Sequence, residues 1–133
     1  MKGSIIIMVS IFFLPILSLF GQNQSDPNKE IDMTEFMKKY QNDSTLVVLD
    51  VRTEEELSGS LGKLDRIVHI PIQQLEERIN ELSKYKGNEI SVICRSGNRS
   101  NTATKILREK GFNVKNVLGG MIEYRKLEKK STE

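Results

Sequence analysis

The feature that most constrains the fold of this chain is the alternation of short β-branched apolar runs with segments of helical spacing. Runs of strand length lie at residues 45–51, 67–70, 90–94 and 114–118, and each is followed by turn or loop residues. Between these runs, apolar residues recur every three or four positions, as on one face of an amphipathic helix. The alternation predicts an α/β domain with a mainly parallel sheet, flanked by helices on both faces.

Two of the predicted helices begin with a capping box, in which a polar first residue and an acid three positions later satisfy free N–H groups. Residues 32–35 and 53–56 have this pattern. Further helices are predicted over residues 72–82, from residue 100, and from residue 121 after a double glycine.

The first 22 residues have the layout of a secretory signal peptide. Lys2 precedes a mainly apolar run over residues 5–20, and the small residue Gly21 leads into a polar segment. The run is short for a membrane span. We therefore expect export to the periplasm or the medium, with an uncleaved membrane anchor through residues 5–20 as the alternative.

The rest of the chain has room for one domain with a modest core. We expect a linker over residues 23–30, the domain over residues 31–127 and a polar tail over residues 128–133. The formal net charge of +2 is nearly balanced, so no attraction for nucleic acid is expected.

The chain contains a single cysteine, Cys94. One cysteine excludes an intramolecular disulfide and a Cys-x-x-Cys redox enzyme. A free thiol is liable to damage in an oxidising compartment, so we expect Cys94 to be exposed and retained for its chemistry. The alternative is a small buried side chain that ends a strand.

The residues around Cys94 connect a predicted strand to a predicted helix. Ligands of parallel α/β sheets bind beyond the carboxyl ends of the strands, which is where this connection lies. Gly97 allows the backbone to curl into a cradle of N–H groups, and the helix N-terminus with Arg95 and Arg99 should stabilise a thiolate. We predict Cys94 as the catalytic residue. The predicted substrate-binding residues are Arg95, Ser96, Gly97, Asn98, Arg99 and Ser100.

Three segments of the chain resemble the single-domain rhodanese-like sulfurtransferase family. CRSGNRS at 94–100 is similar to the active-site loop, LDVRTEEEL at 49–57 to the first-strand signature, and VLGGMIEYRK at 117–126 to the closing segment. The resemblance implies a five-stranded parallel sheet between helices. It also implies that Cys94 accepts a sulfane sulfur from a small anionic donor such as thiosulfate, and passes it from a persulfide to a thiol or cyanide, with a protein sulfur acceptor as a further partner.

The chain departs from the family pattern at two places. Gly59-Ser60 stands where the family usually has Gly-His, and Tyr124 stands where it usually has Trp. The resemblance therefore implies no substrate preference that depends on the rim of the site.

Two alternative functions use similar residues. A cysteine phosphatase or arsenate reductase needs an arginine six residues after its cysteine, but that position is Ser100, and Arg99 makes the loop one residue shorter. A rhodanese-fold binding or sulfur-carrier module that depends on a dedicated partner would have the same sequence.

Other polar residues near the predicted strands are interpreted as structural. His69 is the only histidine and has no link in the sequence to Cys94. Asp50 ends a strand, and Arg52 could pair with Glu55 or Glu56. The sequence has neither metal-ligand spacing nor a glycine-rich nucleotide loop, so no metal or cofactor is expected.

The export prediction can be checked by N-terminal sequencing of protein taken from the native cell envelope. We expect a first residue close to Gly21, because the polar segment after it follows the apolar run directly. A chain that begins at Met1 in the membrane fraction would identify the anchor. A chain that begins at Met1 in the soluble cytoplasmic fraction would contradict export.

Overall fold

A computed structural model of the protein describes residues 26–133, and the predicted signal segment lies outside that range. The domain is built on one five-stranded sheet in the order β1-β5-β4-β2-β3, and every neighbouring pair is parallel. The predicted α/β sheet is therefore confirmed. The strands are β1 (Glu30–Ile31), β2 (Val47–Asp50), β3 (Val68–His69), β4 (Glu89–Ile93) and β5 (Asn113–Val117).

Helices cover both faces of the sheet, as predicted. They are α1 (Met33–Asn42), α2 (Glu54–Leu57), α3 (Leu75–Arg78), α4 (Asn98–Glu109) and α5 (Gly120–Ser131). On one face, Leu75 and Leu107 bring α3 and α4 onto strand residues such as Val92. On the other face, Phe36 of α1 and Met121 of α5 complete the second core. Alternate strand residues point to opposite faces, which explains the two apolar clusters.

Several element boundaries differ from the predicted ones. Strand β1 lies at residues 30–31, at the end of the predicted linker, where two residues are too short to show an alternating pattern. Residues 72–85 do not form one α-helix, because 3₁₀ turns at 72–74 and 79–85 flank α3. Helix α5 continues into the predicted tail as far as Ser131. Within the described range of residues, no helix is long and apolar enough to cross a membrane.

The capping box at the start of α2 is present as predicted. The Thr53 hydroxyl accepts the N–H of Glu56, and the Glu56 carboxylate accepts the N–H of Thr53 at 3.0 Å. At the start of α1, the Asp32 carboxylate accepts the N–H of Glu35 at 3.0 Å. These bonds satisfy N–H groups that have no partner inside the helix.

The first turn of α5 lies directly against the chain that leaves β4. The N–H groups of Met121 and Ile122 donate to the carbonyl oxygens of Cys94 and Arg95, at 2.8 and 3.1 Å. A Cβ atom on Gly120 would lie only 2.5 Å from these same two carbonyl oxygens. Residue 120 must therefore be glycine for α5 to reach this position.

We predict that Gly120→Ala destabilises the protein more than Gly111→Ala does. Both glycines have a positive φ, but Gly111 has open space around its Cα. Gly111→Ala should lower the free energy of unfolding by about 1–2 kcal/mol through backbone strain, and Gly120→Ala by about 2–5 kcal/mol because it adds a steric clash. Urea unfolding of the two variants measures the difference. Equal losses in the free energy of unfolding would show that the close approach of α5 does not make residue 120 more sensitive than residue 111.

Candidate active site

The cysteine loop, defined as residues 94–100, joins the central strand β4 to helix α4. Cys94 directly follows the last residue of β4, and Gly97 caps α4 with a φ of 101°. A side chain on Gly97 would strain this left-handed backbone and would meet the backbone N of Gly119 at 3.3 Å. The predicted role of Gly97 in curling the loop agrees with this geometry.

The loop curls around the sulfur of Cys94. The N–H of Gly97 donates to Sγ at 3.1 Å, and the Ser100 hydroxyl lies 3.2 Å from Sγ. Burial by itself raises the pKa of the Cys94 thiol, but hydrogen bonds from the Ser100 hydroxyl and from backbone N–H groups of the loop outweigh it. The pKa of Cys94 therefore lies below its ordinary value, which favours the nucleophilic thiolate.

The expectation of an exposed thiol is wrong, because Cys94 exposes only 1% of its surface. Its side chain belongs to the apolar core on the face of α3 and α4, since it continues the inward-facing positions of β4. Burial alone would describe a small core side chain. The two polar contacts at Sγ distinguish Cys94 from such a residue.

The two arginines of the loop have different surroundings. Arg95 is exposed at the rim, beside the exposed Ser96 and Asn98. Arg99 donates to both carboxylate oxygens of Glu56, at 2.7 and 2.6 Å. Arg99 interacts with Cys94 electrostatically through space. This interaction adds to the effect of Glu56, which raises the pKa of the Arg99 guanidinium. The hydrogen bonds to sulfur within the described residues come from the backbone and from Ser100.

A comparison with known protein families identifies the family to which the chain belongs. The family model described as rhodanese-like domain matches residues 32–127. The chain belongs to the rhodanese-like domain family. The family resemblance read from the cysteine loop is therefore confirmed.

Two relatives from Bacillus subtilis (strain 168) are each 38% identical to this rhodanese-like domain over 96 residues. "Putative sulfur carrier protein YrkF" matches over 71% of this chain and 50% of its own length. "Putative sulfurtransferase YtwF" matches over 72% of this chain and 89% of its own length. The chain thus spans about half the length of the first relative and most of the second.

Solved structures of rhodanese-like proteins share the fold. A rhodanese-like domain protein from Staphylococcus aureus aligns with a TM-score of 0.65 and 27% identity, over 72% of this chain and 90% of its own. A rhodanese-related protein from Thermoplasma volcanium aligns with a TM-score of 0.65 and 30% identity, over 74% and 91% of the two chains.

Behind the sulfur, Asn116 of β5 holds two parts of the cysteine loop. Its side-chain oxygen accepts the Ser100 hydroxyl at 2.6 Å, and its side-chain nitrogen donates to the Gly97 carbonyl oxygen at 3.2 Å. Both Ser100 and Asn116 are buried. Asn116 is missing from the predicted site, although a polar residue in an apolar strand run was a signal that could have found it.

Asp50 and Arg52 form a fully buried ion pair beside the loop. The Arg52 guanidinium contacts the Asp50 carboxylate at 2.8 Å and the Gly62 carbonyl oxygen at 2.8 Å. The predicted pairing of Arg52 with Glu55 or Glu56 is wrong, because Asp50 is the carboxylate that is buried with it. His69 Nε2 lies 2.7 Å from the Arg52 carbonyl oxygen, which agrees with a structural role for His69.

The two departures from the family pattern lie in different parts of the domain. Gly59 and Ser60 line a cleft of about 280 Å³ whose wall also includes Arg95, so this departure is at the rim of the site. Tyr124 is buried against Phe36, with ring centroids 6.4 Å apart. It belongs to the second core rather than to the rim.

The Glu56–Arg99 ion pair predicts a pH dependence of stability. Hydrogen bonds from Arg99 lower the pKa of Glu56 from 4.5 to about 2. A lowered folded-state pKa contributes stability that is present above pH 4.5 and is lost as the pH falls toward about 2. Glu56→Gln keeps the capping interaction but removes the charge, so it should cost about 1 kcal/mol at pH 6 and nothing near pH 2.

Urea unfolding of the wild type and Glu56→Gln across this pH range measures the difference. Other carboxylates titrate in both proteins and cancel in the comparison. A difference in unfolding free energy that stays constant with pH would show that the charge of Glu56 does not act through Arg99.

Proposed function

We propose that this rhodanese-like domain is a sulfurtransferase that carries a sulfane sulfur as a persulfide on Cys94. The observation that carries the proposal is the set of donors around Sγ, where the Gly97 N–H at 3.1 Å and the Ser100 hydroxyl favour an anionic sulfur. Such donors stabilise the thiolate, so the buried thiol is activated as a nucleophile. The names of the two Bacillus subtilis relatives support the same chemistry.

The transfer consists of two displacements at sulfur. The Cys94 thiolate attacks the outer sulfur of a donor such as thiosulfate, so that an S–S bond forms while sulfite leaves with the bonding electron pair. An acceptor thiolate or cyanide then attacks the outer sulfur of the persulfide. The bond to Sγ breaks, and Cys94 leaves as the thiolate. The N–H groups of the loop are fixed in place by the fold and stabilise the charged sulfur at both steps.

The geometry favours sulfur transfer over phosphate ester hydrolysis. A phosphatase loop needs a guanidinium free to bind the equatorial oxygens of phosphate. Here Arg99 is occupied by the two oxygens of Glu56, and the position after it is the buried Ser100. We expect thiosulfate sulfur transfer to be measurable, with negligible turnover of an aryl phosphate. The reverse ranking would reject the sulfurtransferase assignment.

A sulfur carrier that delivers only to a dedicated protein is the second candidate, favoured by the burial of Cys94 and by the name of the first relative. Transfer to several small thiols would favour the enzyme. Stable loading without transfer to any of them would favour the carrier.

We propose that the protein works outside the cytoplasm, on the basis of the predicted signal segment.

The persulfide can be detected by mass spectrometry of protein treated with thiosulfate and kept free of reductant. We expect the wild type to gain the mass of one sulfur atom, and Cys94→Ser to gain none, because an alcohol cannot form the persulfide. Thr102→Ala, an exposed change on α4, is the matched control and should load normally. Loading of Cys94→Ser would contradict the mechanism.

Arg99→Ala tests how much the arginine adds to the backbone cradle. Its charge reaches Cys94 only through space, so we expect slower donor capture and a higher thiol pKa, with loading retained. The alkylation rate of Cys94 by iodoacetamide against pH reports the thiol pKa. An unchanged profile would assign the activation of Cys94 to the backbone and Ser100 alone.

A further inference from the structure

Three buried side chains form a continuous line of polar contacts behind the sulfur. Cys94 Sγ lies 3.2 Å from Ser100 Oγ, and Ser100 Oγ lies 2.6 Å from Asn116 Oδ1. The other end of the Asn116 amide lies 3.2 Å from the Gly97 carbonyl oxygen. A carbonyl oxygen cannot donate, so the amide nitrogen must face Gly97 and the amide oxygen must face Ser100.

The Ser100 hydroxyl has one hydrogen, and two atoms compete for it. An amide oxygen only accepts, so the short contact with Asn116 requires that hydrogen. Ser100 then presents a lone pair to the sulfur, which suits a protonated thiol. A thiolate requires the hydroxyl to turn toward Sγ, and this leaves the buried Asn116 oxygen without its donor, which costs free energy.

We propose that Asn116 is a positioning residue that competes with the Cys94 sulfur for the hydroxyl hydrogen of Ser100. The direction of the hydroxyl then follows the charge on Sγ. The hydroxyl donates to Asn116 while Sγ is a thiol or is bonded to the outer sulfur of the persulfide, and it donates to Sγ when Sγ is a thiolate. Asn116 thereby holds the pKa of Cys94 above the value that the donors of the loop would set without it.

The consequence for turnover rests on the proposed sulfur transfer. Sγ is anionic before it attacks the donor and again after the acceptor has removed the outer sulfur. The Ser100 hydroxyl turns to Sγ at these two points and returns to Asn116 when Sγ becomes neutral. No covalent bond to either side chain forms or breaks.

Charged groups around the loop must be held constant in any test of this competition. They are Asp50, Arg52, Glu56, Arg95, Arg99 and, in the first turn of α5, Glu123. Substitutions at residues 100 and 116 to uncharged side chains leave all six unchanged. A difference in the pKa of Cys94 between such variants therefore reports on the Ser100 hydroxyl and the Asn116 amide.

The test is the rate of iodoacetamide alkylation of Cys94 against pH in the wild type, Asn116→Leu, Ser100→Ala and the double variant. Leucine has the branched shape of asparagine, with larger methyl groups in place of the amide atoms, and removes the competing oxygen. Asn116→Leu should lower the pKa of Cys94, so that alkylation below the wild-type pKa becomes about fivefold faster, as expected for one hydrogen bond. In the Ser100→Ala protein, the same replacement should leave the profile unchanged, because the hydroxyl is absent.

Two results would overturn the proposal. One is a pKa that stays the same or rises in Asn116→Leu. The other is a shift of equal size with and without Ser100, since the effect would then come from the lost contact with Gly97. Circular dichroism establishes that each variant is folded.

If Asn116→Leu does not fold, Asn116→Asp replaces it, with Arg99 and Glu56 unchanged. A carboxylate accepts the hydroxyl more strongly, so the thiol pKa should rise more with Ser100 present than in the Ser100→Ala protein. Equal rises would overturn the proposal. Alkylation needs no sulfur donor, so a wild type that shows the expected coupling but takes no sulfur from thiosulfate would reject the proposed function and keep the role of Asn116.

Discussion

The close approach of α5 to the chain leaving β4 is the constraint on which the site depends. Two N–H groups in the first turn of α5 bind the carbonyl oxygens of Cys94 and Arg95, at a separation that only glycine at position 120 permits. The last helix of the chain thereby holds the end of the central strand. With these carbonyl groups fixed, the loop must turn back over the sulfur to enter α4, and the N–H of Gly97 is brought to Sγ.

Side-chain charges near the site are largely neutralised by one another. Arg52 binds Asp50 in the interior, and Arg99 binds Glu56 at the edge. A buried charge without a partner is costly, so such pairs stabilise the geometry of the scaffold. The environment of the sulfur is consequently set mainly by N–H groups and one hydroxyl, which need no ordering of long side chains when the sulfur becomes charged.

Features that depend on local pattern were predictable, and features that depend on tertiary contacts were not. Strand-length apolar runs, turn residues and capping boxes identified the parallel α/β fold and the cysteine loop. Helical spacing does not distinguish an α-helix from successive 3₁₀ turns, so residues 72–82 were predicted as one helix. The burial of Cys94 depends on packing between separate elements, and the bond between Ser100 and Asn116 joins the cysteine loop to β5. Neither feature follows from the neighbouring residues in the sequence.

The short edge strand β1 places the entry point of the chain next to the residue that supports the cysteine loop. Glu30 lies opposite Asn116 in the sheet, and the N–H of Asn116 donates to the Lys29 carbonyl oxygen at 2.9 Å. In mechanical terms, tension arriving from the N-terminal side would load β1 along β5 and would be carried by very few hydrogen bonds. While β1 stays paired, a pull on the leading segment would reach the cysteine loop through Asn116, whose side chain holds Gly97 and Ser100; peeling of β1 would break this connection.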